Sequence, residues 1–327
     1  MIAPVAPRSP VHPRGGYGPL LGSHPAMQRL YEDIEEVARR PIPVVIVGPT
    51  GAGKELVARA IHQASGRPGR YVALNVHALP EGLADAELFG VVRGAYTGAT
   101  NSRPGLMEAA SGGTLLLDEA GDLTKPLQAR LLRALESGEI RPIGGTTARP
   151  AEFRLLICTQ TGPTELVQGG HWRADFRYRV AGFVLTVPSL VDHAPDIPVL
   201  ARHALCERRG EVAWEEVEPL LLAHHWPGNV RELERVLVCA DVLARGGVLT
   251  GEHVARAIVQ VGGPPGRPSG RTIDEVVQAH VLSVLKQTDF NINASSRILG
   301  ISRSGLYHKL RRWRLAEVLR EPVATFD

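Results

Sequence analysis

Cysteine is scarce in this chain of 327 residues: Cys158, Cys206 and Cys239 are the whole complement, and no two form a CxxC pair. An odd, widely spaced set argues against a disulfide framework or a zinc cluster and fits a reducing compartment. Cys158 lies in the apolar run LLIC and is expected to be core packing. Long apolar runs are also missing; none approaches the ~18 residues of a membrane-spanning helix. Residues 1–16, MIAPVAPRSPVHPRGG, lack the apolar centre of a secretory signal. They are expected to be a disordered Pro-rich leader, and the protein to be cytoplasmic. Net charge is small, at +3, but its distribution is uneven. Residues 290–316 contain no Asp or Glu, yet hold Arg297, Arg303, Lys309, Arg311, Arg312 and Arg314. Such a block suggests an anionic partner.

What is present is an ordinary globular composition, 44% hydrophobic and 22% charged, in a chain long enough for about two domains. AMQRLYEDIEEVARR carries Met27, Leu30, Ile34 and Val37 at helical spacing. PVVIV (43–47) reads as a buried parallel strand, followed by a glycine loop and a helix, the start of a βαβ unit. RYVALNV (70–76), GGTLLLDEA (112–120), EFRLLICTQT (152–161) and GFVLTVPSL (182–190) read as four further strands. Between them, KPLQARLLRALESG is a helix with Pro126 in its first turn and Gly138 past its end. The alternation predicts an α/β core over 17–190, a parallel sheet covered on both faces. Residues 191–260 read as an all-helical lid and the Gly/Pro-rich 261–271 as a linker. Residues 272–318 read as an all-α unit of three helices, and 319–327 as a tail. No internal repeat is visible.

The loop GPTGAGKE comprises Gly48, Pro49, Thr50, Gly51, Ala52, Gly53, Lys54 and Glu55. Its glycines let backbone N–H groups turn toward phosphates, the following helix adds positive potential, and Lys54 can reach the outer phosphates. Glu55 stands where Ser or Thr usually meets Mg²⁺. A glycine-rich turn with a surface lysine is the bland alternative. Asp118 and Glu119 close the strand TLLLDE. The first can hold Mg²⁺ through water and the second can polarise an attacking water, unless both are simply capping acids. Together the two motifs point to hydrolysis of a nucleoside triphosphate. FGVVRGAYTGAT places Gly94, Ala95, Tyr96, Thr97, Gly98 and Ala99 in a loop that no nucleotide contact requires. An aromatic ring between glycines suits either a mobile contact loop or a buried turn. Near the C-terminus, SRSGLYHKLRRW fits a recognition helix with Ser302 as N-cap. Arg303, Ser304, Tyr307 and His308 would face base edges, and Lys309, Arg311 and Arg312 phosphates. Leu299, Ile301, Leu306 and Leu310 are expected in the core, and a basic solvated helix is the alternative.

In order along the chain, GPTGAGKELVARAIH, ELFGVVRGAYTGA, GGTLLLDEAGDL, QARLLRALESGEIRPIGG, WRADFRYRV and WPGNVRELERVL resemble the signatures of bacterial enhancer-binding proteins, the AAA+ activators of sigma-54 RNA polymerase. NASSRILGISRSGLYHKL resembles their Fis-type helix-turn-helix. The resemblance accounts for Glu55, because the family's loop ends Gly-Lys-Glu. It implies ATP and Mg²⁺ as cofactors. It also implies that the Gly94–Ala99 loop, with Tyr96 in place of the usual Phe, contacts sigma-54. Asn75 matches the switch asparagine that restrains Glu119. Arg173 and Arg179 match arginines offered to a neighbour's nucleotide, which implies a dimer-to-hexamer ring, and Arg231 matches the lid's sensor arginine. Enhancer DNA follows as a partner. Two departures stand out. Gln160 replaces the family's Asn, setting the amide one methylene further out, and Val191-Asp192-His193 replaces Arg-Glu-Arg. Many relatives carry a sensor domain before the ATPase, whereas here only the short leader precedes it. If the chain is complete, a regulatory partner protein, expression level or mixed assembly is expected to control it; truncation would look the same. A regulator that uses ATP only as a ligand is the alternative reading, and another AAA+ remodeller ranks behind it.

Overall fold

The computed structural model describes residues 16–18, 20–80, 83–95, 101–206, 210–262 and 291–313, together with 277, 281, 284, 285 and 288; for 308, 311 and 312 it describes the backbone only. The expected leader, except residue 16, the linker from 263 on, most of the first C-terminal helix and the tail lie outside the described residues. The chain divides into two compact units, Met1–Pro265 and Gly266–Asp327.

In the first unit the five expected strands form one parallel sheet: β1 (Val44–Val47), β2 (Tyr71–Asn75), β3 (Thr114–Asp118), β4 (Arg154–Thr159) and β5 (Phe183–Thr186), in the spatial order β5-β1-β4-β3-β2. The inner strands β1, β3 and β4 are apolar and buried through their centres because both faces are covered, whereas the edge strands β2 and β5 are only partly buried. Val45, Leu115, Leu117, Leu155 and Ile157 pack on one side. There they meet α3 (Leu83–Phe89), α4 (Leu106–Ala109), α5 (Lys125–Ser137), α6 (Pro163–Gln168) and α7 (Ala174–Val180). Val44, Ile46, Leu116, Leu156, Cys158 and Leu185 pack on the other against α1 (Pro25–Ala38) and α2 (Lys54–Ser65). This is the period-two alternation of a strand. Met27, Leu30, Ile34 and Val37 of α1 are buried as their spacing predicted. Burial pushes the Cys158 thiol up, consistent with a packing role.

Element ends follow local chemistry. Helix α5 begins with Pro126 in its first turn and stops at Gly138, which takes φ +67°. Helix α1 ends where Arg154, itself buried, donates to the carbonyls of Val37 and Ala38 at 2.7 and 3.1 Å. Burial lowers that guanidinium to about 10, with the Arg67 charge adding to the effect.

The lid follows β5. A 3₁₀ segment, Leu190–Asp196, leads into α8 (Ile197–Ala204), α9 (Trp214–Ala223), α10 (Asn229–Ala244) and α11 (Gly251–Val261). Their core is built on Val217, Leu221, Trp226, Leu233, Val236, Leu237 and Val254. At the Val191-Asp192-His193 departure, the second and third residues have local partners. Asp192 accepts from the Ser189 hydroxyl at 2.6 Å and from its N–H at 3.1 Å. His193 is buried beside Asp196, and desolvation lowers its pKa against the opposing pull of that carboxylate. Asp196 in turn accepts from the N–H groups of Ser23 and His24, tying the start of α1 to the lid junction.

In the second unit, α12 (Ile292–Ile298) and α13 (Arg303–Arg312) are joined at Gly300, which takes φ +64°. Leu306 and Leu310 are buried with Val281 and Leu285, and Leu299, Ile301 and Trp313 pack against them, as expected. No described helix is long and apolar enough to cross a membrane.

Trp172 links sheet and helices. Its indole N–H donates to Ala120 O at 2.9 Å and its ring meets Phe176 edge-on at 5.3 Å. Trp172→Ala is expected to cost about 3–5 kcal/mol of stability, read as a fall in the urea midpoint.

Candidate nucleotide site, contact loop and DNA-facing helix

The strand order sets the site. The phosphate loop leaves β1, Gln160 follows β4 and Asp118 ends β3, and these three strands are adjacent, so all converge at the carboxyl edge of the sheet. Open α/β sheets bind ligands at that edge. Within the loop, Gly51 and Gly53 take φ +76° and +94°, conformations that favour glycine. Gly53 caps α2 without a side-chain hydrogen bond, so the first N–H groups of a 12-residue helix face the loop. Lys54, only 7% exposed, donates from Nζ to Gly48 O at 2.9 Å and Pro49 O at 3.2 Å. The ammonium is thus held inside the cradle. Glu55 points away and pairs with Arg59 at 2.8 Å. A cradle of glycines, helix N–H groups and an enclosed lysine fits the phosphates of a nucleotide.

Asp118 is half-buried. Burial raises its carboxyl above the ordinary range, and the adjacent Glu119 charge adds to this. Glu119 adopts a left-handed φ of +53°, sparsely populated for a residue other than glycine. Its carboxylate accepts from Gln160 Nε2 at 3.3 Å. Asn75 is in register with Asp118 on the neighbouring strand, but its Oδ1 accepts from Ala78 N at 3.1 Å. In this arrangement the amide bonded to Glu119 is that of Gln160. Among the described residues no group of three or more His, Cys, Asp or Glu converges as a metal cluster. Asp118 is the carboxylate at this edge whose oxygens could hold a divalent cation beside bound phosphates.

Arg173 is the N-cap of α7 and Arg179 lies in its last turn. Arg173 grips Asp175 through Nε and Nη2 at 2.9 and 2.7 Å. Those bonds draw the Asp175 carboxyl down to about 2. Arg179 Nη2 donates to Leu135 O at 2.6 Å. Arg231, on the first turn of α10, is exposed, and its backbone N–H donates to Gly51 O at 3.3 Å. The lid therefore touches the phosphate loop. Asn229 and Trp172, which sequence reading passed over, are structural partners of this site. The sequence signal for Asn229 was the PGN turn before α10.

The segment running into Gly94 follows a short antiparallel pair, Gly90–Val91 with Arg103–Pro104. Its base is closed by Arg93 N to Ser102 Oγ at 3.0 Å and held by Val92 N to Ile143 O at 3.1 Å. Gly94 takes φ +82°, and Ala95 lies so close to Gly144 that a Cβ there would come within 2.6 Å. Tyr96, Thr97, Gly98 and Ala99 lie outside the described residues.

In the second unit Ser302 caps α13, accepting from Gly305 N at 3.1 Å. Arg303, Ser304 and Tyr307 are exposed together, and Lys309 Nζ stands 5.5 Å over the Trp313 ring. The side chains of His308, Arg311 and Arg312 lie outside the description.

Comparison with known proteins agrees with this geometry. Residues 20–186 match the sigma-54 interaction domain, 192–268 an AAA+ ATPase lid domain, and 273–313 the Fis family of bacterial regulatory proteins. The chain is 45% identical over 234 residues to the anaerobic nitric oxide reductase transcription regulator NorR of Aeromonas hydrophila, covering 69% of this chain and 46% of that one. It is 39% identical over 301 residues to the transcriptional regulatory protein ZraR of Escherichia coli, covering 90% of this chain and 68% of that one. Among solved structures, NtrX of Brucella abortus in complex with ATP superposes with a TM-score of 0.66 at 29% identity, covering 90% of this chain and 69% of that one. The chain thus spans about half the length of NorR and two thirds of ZraR.

Proposed function

Because the chain belongs to the family of regulators that join a sigma-54 interaction domain to an AAA+ lid and Fis-type helices, we propose that it is an ATP-driven, cytoplasmic activator of sigma-54-dependent transcription. The observation that carries this reading is the convergence of the Lys54 cradle, Asp118 and Glu119 at one edge of the sheet. The chain that bears them also carries a sigma-54 interaction match spanning the Gly94–Ala99 loop.

ATP would lie with its phosphates on the backbone N–H groups of the Gly51–Lys54 turn, and Lys54 would exchange its loop carbonyls for phosphate oxygens. Bound Mg²⁺ would neutralise charge on the phosphates, with Asp118 as its protein ligand. Glu119 would orient the attacking water and accept its proton. Arg173 and Arg179 would serve a neighbouring copy in a ring once released from Asp175 and Leu135, and Arg231 would report nucleotide state to the lid. Gln160 and Asn75 compete for control of Glu119 in this scheme. The Tyr96 loop would press on sigma-54, and α13 would hold enhancer DNA. The test of the loop is retention of sigma-54 on the immobilised protein with ATP analogues. Tyr96→Ala is expected to abolish retention with ATPase activity preserved; unchanged retention would remove the loop from the mechanism.

For DNA, Arg303→Ala is expected to lose about 1–3 kcal/mol of discrimination between operator and random duplex. Lys309→Ala is expected to weaken both equally and to flatten the salt dependence. Gel-shift titrations at several salt concentrations separate the two. A second reading, ATP as a ligand switch with weak hydrolysis, is favoured by one feature: the Glu119 carboxylate is engaged by Gln160.

A further inference from the structure

Asn229 sits at the first position of α10, 3% exposed, with a left-handed φ of +53°. Its amide is used at both ends. Nδ2 donates to Thr50 O, in the phosphate loop, at 2.9 Å. Oδ1 accepts from the N–H of Leu190, the residue at which the core passes into the lid, at 2.8 Å. The backbone beside it is equally close. Arg231 N donates to Gly51 O at 3.3 Å, and a Cβ at Gly51 would lie 2.2 Å from Gly228 O. On the other side, Asn229 N donates to Trp226 O at 2.8 Å, and buried Trp226 is itself left-handed at φ +48°. The turn is thus over-determined by its surroundings, as a strained turn must be to persist.

We propose that Asn229 is a positioning residue for ATP binding. It fastens the carbonyl side of the phosphate loop to the core–lid connection, so that loop shape and lid docking become one equilibrium. The choice of side chain follows from three demands. The backbone conformation favours Gly, Asn or Asp. Leu190 N needs an acceptor, which Gly lacks. Thr50 O needs a donor, which an ionised Asp lacks. Asparagine alone among the three meets all of them. With Thr50 and Gly51 held from outside, the loop's N–H groups stay turned inward and the cradle is pre-organised before phosphate arrives.

The inference rests on reading Gly48–Glu55 as the ATP loop, and two variants separate its failure from the failure of that reading. Asn229→Asp keeps the acceptor for Leu190 N and sets a carboxylate against Thr50 O. Asn229→Gly adopts the backbone without strain and removes both bonds. Titration with a fluorescent ATP analogue is expected to show about tenfold weaker binding for each. In steady-state assays the loss is expected to fall on KM more than on kcat. Hydrogen exchange of the nucleotide-free full-length protein supplies the second readout. Peptides covering Leu190 are expected to remain protected in Asn229→Asp and to exchange faster in Asn229→Gly, while peptides at 229–233 loosen in both. Wild-type ATP affinity in both variants would overturn the proposal, as would identical exchange at Leu190. If the wild type itself binds no ATP, the nucleotide reading fails, and the exchange pattern still decides whether Asn229 joins loop to lid.

Discussion

Glu119→Gln is expected to slow ATP hydrolysis by about 10²–10⁴-fold, the usual worth of a positioned general base, while nucleotide binding persists. Glutamine keeps the size of the side chain and can still meet Gln160, which now donates to Glu119 at 3.3 Å, but it cannot take a proton from water. Because Glu119 already occupies a left-handed backbone, a change confined to its head group leaves that strained turn in place. Single-turnover hydrolysis together with equilibrium ATP binding separates the two effects. Loss of hydrolysis with retained binding supports the general-base role. Unchanged slow turnover in both proteins would instead favour ATP as a ligand switch.

Arg179→Ala is expected to lower kcat by about 10³–10⁵-fold, the range for an arginine supplied to another subunit's phosphate. Within one chain Arg179 spends its guanidinium on Leu135 O, a neutral carbonyl that a more negative acceptor can outcompete. The test that isolates the trans role is mixing. Arg179→Ala subunits retain Glu119, and Glu119→Gln subunits retain Arg179. Neither hydrolyses ATP well alone, yet a mixed ring contains complete sites at some interfaces. Activity is therefore expected to reappear on mixing, with a steep dependence on total concentration. No recovery at any ratio would place Arg179 in a structural role.

Much of this was legible in the residues. The apolar runs marked all five strands, most plainly β1, β3 and β4, because strands buried on both faces carry little else at their centres. Pro126 and Gly138 marked α5, and Ser302 marked α13, because caps are local chemistry. The order β5-β1-β4-β3-β2 was not legible, since it depends on which crossovers lie on which face. The resemblance assigned a restraining role over Glu119 to Asn75, but in the structure Asn75 Oδ1 serves Ala78 N while the longer Gln160 reaches the carboxylate. Which amide meets Glu119 depends on side-chain rotamer and loop placement, which residue spacing does not fix. Asn229 and Trp172 were missed for a related reason. Their partners, Thr50, Leu190 and Ala120, are brought to them only by the fold.

The most direct measurement is promoter opening in vitro, with sigma-54 holoenzyme, a supercoiled template bearing the upstream site, and ATP, comparing wild type with Thr97→Ala. Wild type is expected to open the promoter only with hydrolysable ATP. Thr97→Ala is expected to hydrolyse ATP at a comparable rate and leave the complex closed. A wild type that hydrolyses ATP and never opens the promoter, or a Thr97→Ala variant that opens it equally well, would contradict the account.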